Sequence, residues 1–467
     1  MNEPLTLRAF SDLSQSKARL VSKGLSSPES ENKAELFLAC AEALRNSGLN
    51  DGATVRAFFV PGRIEVLGKH TDYAGGRSII AATENGFCIV AAQRPDTTVR
   101  LIDVATGEQV EFQISDNLNP RPGHWSNYPM TVARRLARNF PGTLCGAEIA
   151  FASDLPSAAG MASSSAMIVG FFLVLSAFDD LTSHAEYRND ISGPIDLATY
   201  LATVENGRTF GSLAGDKGVG TFGGSEDHTA ILCCRPGTLS QYSYCPVRFE
   251  RNVEFPPEHI FAIASSGVVA EKTGAAMEKY NRLSNLSQCA VRIWNEATGR
   301  ADPHLAAAIA SSPSAPDRLQ NILQQAGPPY VWRASDKKFS SEELSKRLEH
   351  FLAESENIVP AASDALAAGD LVEFGRQATH SQQLAEKLLG NQVPETVFLA
   401  RCARDLGAVA ASAFGAGFGG SVWALTKTSE AKRFLRKWSA LYKSEFPGPA
   451  ANAVFLLTRP GPAAFEL

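Results

Sequence analysis

The stretch Ser153-Asp154-Leu155-Pro156-Ser157-Ala158-Ala159-Gly160-Met161-Ala162-Ser163-Ser164-Ser165 directly precedes the longest apolar run of the chain, Ala166 to Phe178. Its small residues allow the backbone to approach a ligand closely, and three consecutive serines stand where a buried helix is predicted to begin. Such a helix start presents unpaired N–H groups and the positive end of the helix dipole, which suits a phosphate group. A serine-capped structural helix fits the composition equally well. The Gly-Lys-Ser/Thr ending of a Walker A loop is missing, and the pattern is not a Rossmann fingerprint.

A second segment is unusually rich in polar side chains: Pro61-Gly62-Arg63-Ile64-Glu65-Val66-Leu67-Gly68-Lys69-His70-Thr71-Asp72-Tyr73. Short carboxylates and imidazoles of this kind can hold sugar hydroxyls by paired hydrogen bonds. A solvated charged hairpin is the alternative. We favour a binding segment, because a surface turn does not need the glycines that surround these charges at positions 62, 68, 75 and 76.

A third glycine-rich segment, Gly218–Gly224, is followed by Glu226-Asp227-His228. An acidic residue after such a loop can be a general base, a metal ligand or a turn former. Taken alone, this segment favours the turn.

Around these segments the pattern mixes helices and strands without regular βαβ alternation, which indicates an α+β fold. A helical pattern covers Ser14 to Gly48, and the strand Val55–Val60 is predicted to lead into a glycine-rich turn. Further helices are predicted near Tyr128, after Gly160 and at Ile195–Asn206. Further strands are predicted at Phe87–Gln93, Val99–Val104, Val110–Ile114, Ala147–Ala152 and His259–Ala264. The residues from Leu406 to Leu425 are predicted to form a strand–turn–strand unit.

Composition excludes several classes of protein. The chain has 467 residues, 44% of them hydrophobic, which excludes a largely disordered chain and suggests two or three domains. A net charge of −5 provides no general attraction for nucleic acid or an anionic membrane. The run from Ala166 to Phe178 is too short to cross a bilayer, and residues 1–30 lack an apolar signal-peptide core. The eight cysteines have no zinc-site spacing, so we expect reduced thiols and a cytoplasmic protein.

Together and in this order, these segments resemble the GHMP small-molecule kinases, and specifically the galactokinases. Gly62 to Tyr73 is similar to the galactokinase signature Gly-Arg-x-Asn-x-x-Gly-Glu-His-x-Asp-Tyr, and Pro156 to Ser165 to the phosphate loop Pro-x-Gly-x-Gly-Leu-Ser-Ser-Ser. Gly415 to Ser421 resembles the C-terminal motif Gly-Gly-Gly-Phe-Gly-Gly-Cys. Glu226-Asp227-His228 resembles the segment that ends in Met-Asp-Gln.

The resemblance implies a two-domain α+β fold, with a mixed-sheet α/β domain over residues 1–254, an α+β domain over residues 255–467 and the active site between them. It implies ATP-dependent phosphorylation of the anomeric C1 hydroxyl of galactose or a closely related sugar, with ATP and Mg²⁺ as cofactors. A small-molecule sugar is then the expected partner, and we expect a monomer.

Carried over residue by residue, Asp227 is the expected catalytic base and Arg63 its neighbour. A carboxylate can accept the proton of the C1 hydroxyl, while an arginine keeps it ionised and offsets charge on the transferring phosphoryl group. The residues expected to bind the sugar are Lys69, His70, Asp72 and Gly224. The residues expected to bind the triphosphate are Ala158, Ala159, Gly160, Met161, Ala162, Ser163 and Ser164. Mg²⁺ is expected on Glu205 together with Ser163 or Ser164, and Gly417–Gly420 close to the phosphate loop and the sugar.

The sequence departs from the galactokinase pattern mainly where the sugar is bound. Glu65 replaces the signature's Asn, Lys69 replaces its Glu and His228 replaces the Gln, while Ala158 and Ala162 replace a Gly and a Ser of the phosphate loop. The replaced Glu is expected to contact the C6 side of the sugar. Lys69 therefore suggests a C6 carboxylate, as in galacturonate. Alternatively, Lys69 pairs with Glu65 and points away from the sugar.

Three other functions remain open at this point. The acceptor can be N-acetylgalactosamine instead of galactose, or the protein can be a sugar sensor that binds without turnover. The presence of Asp227, Arg63 and the serine run argues against a sensor. A mevalonate- or homoserine-type kinase is disfavoured by His70-Thr71-Asp72-Tyr73, which those branches are not expected to share.

Overall fold

The computed structural model describes residues 5–121, 123–142, 144–156, 159–268, 274–325, 330–332 and 337–467. The strands are β1 (Arg56–Leu67), β2 (Arg77–Gln93), β3 (Thr98–Asp103), β4 (Gln109–Gln113), β5 (Ala147–Ser153), β6 (Thr238–Ser243), β7 (Arg248–Glu254), β8 (His259–Ser265), β9 (Tyr330–Trp332), β10 (Lys337–Phe339), β11 (Ala410–Ala413), β12 (Ser421–Lys427), β13 (Val454–Thr458) and β14 (Phe465–Glu466).

The helices alternate irregularly with these strands. They are α1 (Leu13–Ser22), α2 (Ser27–Asn46), α3 (Asn127–Asn139), α4 (Ser163–Phe178), α5 (Ala185–Asp190), α6 (Pro194–Asn206), α7 (Glu226–Cys233), α8 (Gly274–Thr298), α9 (Leu305–Ile309), α10 (Ala315–Gln325), α11 (Ser341–Phe351), α12 (Val359–Ala367), α13 (Leu371–Leu384), α14 (Pro394–Asp405) and α15 (Ala431–Glu445). Single 3₁₀ turns lie at Leu7–Ser11, Asp72–Ala74, Leu181–Ser183 and Pro449–Ala451, and π-helical turns at Leu352–Ile358 and Ala385–Leu389.

The N-terminal sheet has the order β14-β1-β2-β5-β3-β4, and β6 joins β2 to β7. Its pairs are antiparallel except for β3 with β5. Side chains alternate between the two faces along β1, because successive residues of a strand point in opposite directions. Phe58 and Val60 pack with α4, whereas Ala57 and Phe59 pack with Phe37 of α2. The sheet is therefore covered on both faces.

The C-terminal sheet has the order β11-β12-β8-β13. One face packs on α14 and α15. The other face shares an apolar core with β1 and α12–α13, in which Trp423 of β12 donates a hydrogen bond from Nε1 to the carbonyl oxygen of Val66 at 3.1 Å. This core fixes β1 against the C-terminal half of the chain.

The two-domain α+β expectation is confirmed by this arrangement. A boundary at residue 254 falls directly after β7, but β14 returns to pair with β1, so the last residues belong to the N-terminal sheet. The helices α9, α10 and α11, within residues 302–353, pack on α8 around Trp294.

Two local expectations differ from the structure. The predicted glycine-rich turn after Val60 is wrong, because β1 continues to Leu67 and is buried beyond its first residue. Pairing with β2 holds this segment extended, with an irregularity in register between Pro61 and Arg63. The helical pattern expected over Ser14–Gly48 is interrupted: it forms two helices, separated at Gly24, whose φ of +103° ends the first.

The cysteines agree with the expectation of reduced thiols. All eight cysteines are free thiols. Within the described ranges, the structure contains no helix that combines the length and the apolar character of a membrane span.

Candidate active site

The carboxyl group of Asp227 and the guanidinium of Arg63 meet at the centre of a cavity between the two halves of the chain. Arg63 projects from β1 and donates from Nε to Asp227 Oδ1 at 2.8 Å, while its Nη2 lies 2.7 Å from the same oxygen. Asp227 stands in the first turn of α7, where the helix dipole favours a negative charge. The structure thus brings together two residues that lie 164 positions apart in the chain.

Arg63 is buried and surrounded by acidic groups. Its guanidinium also lies 3.7 Å from Glu65 and 3.6 Å from Glu226. Burial alone would lower the pKa of Arg63, but the charges of Asp227, Glu65 and Glu226 raise it above its ordinary value. The guanidinium therefore stays protonated and can keep Asp227 ionised.

The signature segment after β1 places two expected sugar-binding residues on this cavity. His70, at a φ of +57°, lies with Nδ1 2.9 Å from the Tyr73 hydroxyl and Nε2 3.3 Å from the Ala416 carbonyl oxygen. Asp72 accepts a hydrogen bond from the backbone N–H of Glu226 at 3.4 Å. Burial, with help from the nearby charge of Asp227, raises the pKa of Asp72 to about 6.

Gly224 explains how Asp72 can lie so close to the loop before α7. A Cβ atom at this position would come within 2.3 Å of Asp72 Oδ2. Glycine is thus required for the approach of this carboxylate to the cavity wall.

The expected phosphate loop ends at the N-terminus of α4, beside Arg63. The Arg63 backbone N–H donates to the Met161 carbonyl oxygen at 3.0 Å, and Nη1 donates to that of Gly160 at 3.3 Å. Gly160 and Ala162 both have positive φ, and the helix begins at Ser163. Ala159 precedes them, whereas Ala158 lies outside the described residues.

The serine that contacts the acidic groups is Ser165, and not the expected Ser163 or Ser164. Its Oγ donates to Glu205 Oε2 at 2.7 Å and lies 3.4 Å from Asp227 Oδ2. His228 Nε2 lies 3.4 Å from the same Glu205 oxygen. Ser165 is the last of three consecutive serines. The serine run in the sequence therefore indicated that a hydroxyl group is present here, but the structure is needed to show which of the three serines contacts Glu205.

The oxygen atoms of Glu205 and the nearby serines are suitable ligands for Mg²⁺. This ion commonly takes one or two carboxylates from the protein and completes its shell with phosphate oxygens and waters. Glu205 supplies a carboxylate on the cavity wall, next to a helix start that offers serine hydroxyls. Among the described residues there is no group of three or more acidic, histidine or cysteine side chains that could hold a metal unaided. A Mg²⁺ that arrives with a nucleotide fits this set.

The C-terminal glycine-rich segment closes the cavity from the other side. Ser421 donates from Oγ to the Ala159 carbonyl oxygen at 2.7 Å, which ties this segment to the phosphate loop. Gly415 and Ala416 line the cavity. Gly417 and Gly419 instead pack against Asn391 and Val268, so the segment meets the site through its first residues.

The cavity is narrow and lined mainly by polar residues. Its volume is about 40 Å³, and about 570 Å³ of empty space is counted when the region open to solvent at its mouth is included. Its charged and polar lining includes Arg63, Glu65, His70, Asp72, Glu205, Glu226, Asp227 and Tyr280. Tyr280 lies in α8, and the sequence analysis assigned it no role in the site.

Lys69 is not brought into this cavity. Its side chain is buried, and Nζ donates to Ser381 Oγ at 2.9 Å and to Ser412 Oγ at 2.8 Å. Both serines belong to the C-terminal half of the chain. The expected contact of Lys69 with the sugar is therefore not supported, because the ammonium group points into the junction between the two halves.

Comparison with known proteins agrees with this geometry. Residues 50–93 match the galactokinase galactose-binding signature, residues 127–209 the GHMP kinases N terminal domain and residues 362–444 the GHMP kinases C terminal domain. The galactokinase of Roseiflexus sp. (strain RS-1) is 28% identical over 399 residues, covering 85% of this chain and 88% of that protein. These matches support a galactokinase of the GHMP kinase superfamily.

Other galactokinases and solved structures resemble it over a similar length. The galactokinase of Actinobacillus pleuropneumoniae serotype 5b is 24% identical, covering 82% of this chain and 88% of that protein. The crystal structure of Lactococcus lactis galactokinase complexed with galactose shares the fold, with a TM-score of 0.71 and 23% identity over 88% of this chain and 95% of that one. The crystal structure of L. major mevalonate kinase in complex with R-mevalonate shares the fold less closely, with a TM-score of 0.52 and 15% identity, covering 87% of this chain and 96% of that one.

Proposed function

We propose that this galactokinase-family protein transfers the γ-phosphoryl group of ATP to the anomeric C1 hydroxyl of galactose. The observation that carries the proposal is the Asp227–Arg63 pair, which faces the cavity beside His70 and Asp72 and next to the start of α4. The galactose-binding signature over residues 50–93 and the galactose-bound structural relative support galactose as the acceptor.

In this proposal, Asp227 accepts the proton of the C1 hydroxyl as that oxygen attacks the γ-phosphorus. The bond from phosphorus to the bridging oxygen breaks, and ADP leaves with the electron pair. Arg63 keeps Asp227 ionised before the transfer and offsets the negative charge of the transferring group. His70 and Asp72 would orient the sugar by hydrogen bonds to its hydroxyl groups, which holds the C1 hydroxyl near Asp227.

The triphosphate would bind at the N-terminus of α4. The backbone N–H groups of the loop from Ala159 to Ser163 and the helix dipole favour an anion there. We propose that Glu205 and a serine hydroxyl of the run 163–165 hold Mg²⁺, which when bound neutralises charge on the phosphate oxygens. Ser165 already donates to Glu205, so it joins Ser163 and Ser164 as a candidate.

A uronic acid fits the described part of the cavity poorly. Five carboxyl groups line it, at positions 65, 72, 205, 226 and 227. Arg63 is occupied by Asp227, and Lys69 is bound to two serines outside the cavity. A sugar carboxylate would therefore meet repulsion rather than a partner, which favours galactose over galacturonate.

A panel of sugars tests the function. ADP release would be measured with ATP, Mg²⁺ and galactose, N-acetylgalactosamine or galacturonate. We expect kcat/KM for galactose to exceed that for galacturonate by at least about 100-fold, which is the cost of one unpaired charge contact. Lys69→Met should not alter that ratio, since its side chain lies outside the cavity. A preference for galacturonate would contradict the assignment of the sugar, and no turnover of any sugar would favour a non-catalytic sensor.

The pH dependence of sugar use reports on Asp72. Because its pKa is raised to about 6, this carboxyl is ionised at pH 7 and becomes protonated as the pH falls through 6. We expect kcat/KM for galactose to decline about tenfold per pH unit below that point, since a protonated Asp72 loses an acceptor for a sugar hydroxyl. An acidic limb near pH 4 instead would show that Asp72 does not control binding.

We also propose that the protein acts in the cytoplasm as a monomer. Free thiols at all eight cysteines support a reducing compartment. Sedimentation or gel filtration would test the oligomeric state, and two copies in solution would contradict it.

A further inference from the structure

Two buried carboxyl groups, Glu65 and Glu226, lie on either side of the proposed catalytic pair. Each is only 5% exposed, and each approaches the guanidinium of Arg63, at 3.7 and 3.6 Å. Glu65 belongs to β1 and Glu226 to the first turn of α7. Three acidic side chains thus surround one arginine, and only Asp227 forms a short hydrogen bond with it.

Each of the two flanking carboxyl groups has one buried oxygen without a hydrogen-bond donor among the described residues. In the described part of the chain, Glu65 Oε1 and Glu226 Oε1 are buried without an N–H or O–H donor from another residue. A carboxyl group can donate to a neighbouring carboxyl only when it is protonated, since a carboxylate only accepts. Two adjacent buried carboxylates do not ionise together, because burial and mutual repulsion both disfavour the second charge.

The surrounding backbone is shaped to accept Glu65 in this position. A Cβ atom at Gly415 would lie 2.0 Å from Glu65 Oε1, so the carboxyl group rests directly on the glycine. Where the galactokinase signatures have Asn and Met, this chain has Glu65 and Glu226. The two replacements touch the same arginine, which suggests that they act together.

We propose that Glu65 and Glu226 share one proton and together hold the Arg63 guanidinium against Asp227, which makes both of them positioning residues. This inference rests on the function proposed above. With one proton, the pair presents a single negative charge, and Asp227 keeps the short contacts of Arg63. Without the proton, two carboxylates compete with Asp227 for the guanidinium.

The charges that face the pair agree with a retained proton. Burial raises the pKa of Glu226 well above its ordinary value, and the charge of Glu65 adds to the effect, while Arg63 opposes it. The pKa of Glu65 is raised by burial and lowered in part by Arg63 and Lys69. The titratable and charged groups around the pair, from the described elements that pack on it, are Arg63, Lys69, Asp72, Tyr73, Asp227, Cys234 and Tyr244.

Unfolding without any substrate tests the shared proton. A raised pKa in the folded state gives stability that is complete below the ordinary value of 4.5 and is lost as pH rises towards the folded value. We compare the folding equilibrium constants of the wild type and of Glu226→Gln. As the pH rises, we expect the ratio of the wild-type constant to the variant constant to fall by up to about tenfold per pH unit. The range from pH 6.5 to 9 avoids the titration of Asp72. Equal pH dependence of the two proteins would overturn the proposal.

The pH profile of kcat tests the positioning role. We expect wild-type kcat to fall at alkaline pH, as the pair loses its proton and draws Arg63 from Asp227. Glu226→Gln should lack this fall and lose less than about tenfold in kcat at pH 7, since an amide retains the hydrogen bond. If Glu226→Gln does not fold, Glu65→Gln on β1 is the alternative variant, and it should also lack the alkaline fall in kcat. An alkaline fall that persists in both variants would refute the role.

A matched control is Glu84→Gln. Glu84 is also 5% exposed with its pKa raised by burial, but it accepts from the backbone N–H of Ser26, away from the cavity. This variant should keep the wild-type pH profile of kcat. The two proposals can be refuted separately. A wild type without kinase activity would refute the proposed function, but it would leave the unfolding result for the carboxyl pair intact. An equal pH dependence of stability in the wild type and in Glu226→Gln would refute the shared proton, but it would leave the kinase activity intact.

Discussion

Asp227→Ala is expected to reduce kcat for galactose by about 10²- to 10⁴-fold, because it removes the group proposed to accept the C1 hydroxyl proton. Binding of ATP should be little changed, since the proposed phosphate loop lies on α4 and not on Asp227. Turnover would be followed by ADP release, and nucleotide binding by titration calorimetry.

Asp227→Asn is the matched control for this change. An asparagine oxygen can still accept from Arg63, so the local structure is retained while the base is lost. Both variants should then be equally inactive, and the asparagine variant should be the more stable of the two. Turnover near the wild-type level in the asparagine variant would show that Asp227 is not the base.

Arg63→Gln is expected to destabilise the fold by about 3–5 kcal/mol as well as abolish most activity. The arginine is the shared partner of Asp227, Glu65 and Glu226. Its removal leaves buried acidic groups without a compensating positive charge. Thermal or urea unfolding at pH 7 measures the loss. Arg63→Lys keeps the positive charge but cannot donate two hydrogen bonds to Asp227 from a planar guanidinium. We therefore expect its loss of stability and activity to lie between those of the wild type and Arg63→Gln.

Arg56→Gln provides the comparison on the same strand. Arg56 pairs with Glu466 at 2.6 Å, but both side chains are 38% exposed. An exposed pair contributes less than about 1 kcal/mol, so this variant should be nearly as stable as the wild type and fully active. A loss of stability as large as that of Arg63→Gln would contradict the special position of Arg63.

Several elements could be predicted from the sequence because their signals are local. The start of α4 at Ser163 follows from three serines before an apolar run, and β5 and α6 follow from their hydrophobic periodicity. The pairing of Arg63 with Asp227 was implied by the resemblance to the galactokinases, since no local pattern relates residues so far apart. The structure brings both side chains to one cavity.

Other features depend on distant partners and could not be predicted. The Pro61-Gly62 dipeptide is a turn signal by itself, but pairing with β2 across an irregular register keeps β1 extended to Leu67. The direction of Lys69 is set by Ser381 and Ser412, which are 312 and 343 positions away. A charge reversal in a sugar-binding signature therefore suggested a new substrate, whereas the ammonium group takes part in the contact between the two halves.

The position of the phosphoryl group on the product tests the central claim most directly. ³¹P nuclear magnetic resonance of the reaction with galactose, ATP and Mg²⁺ would measure the coupling of phosphorus to the sugar protons. We predict one product, with phosphorus coupled to the anomeric proton in the wild type and no product signal above background with Asp227→Asn. A phosphoryl group on C6 or another carbon, or the same C1 product at an undiminished rate from the asparagine variant, would contradict the assignment of Asp227 and Arg63.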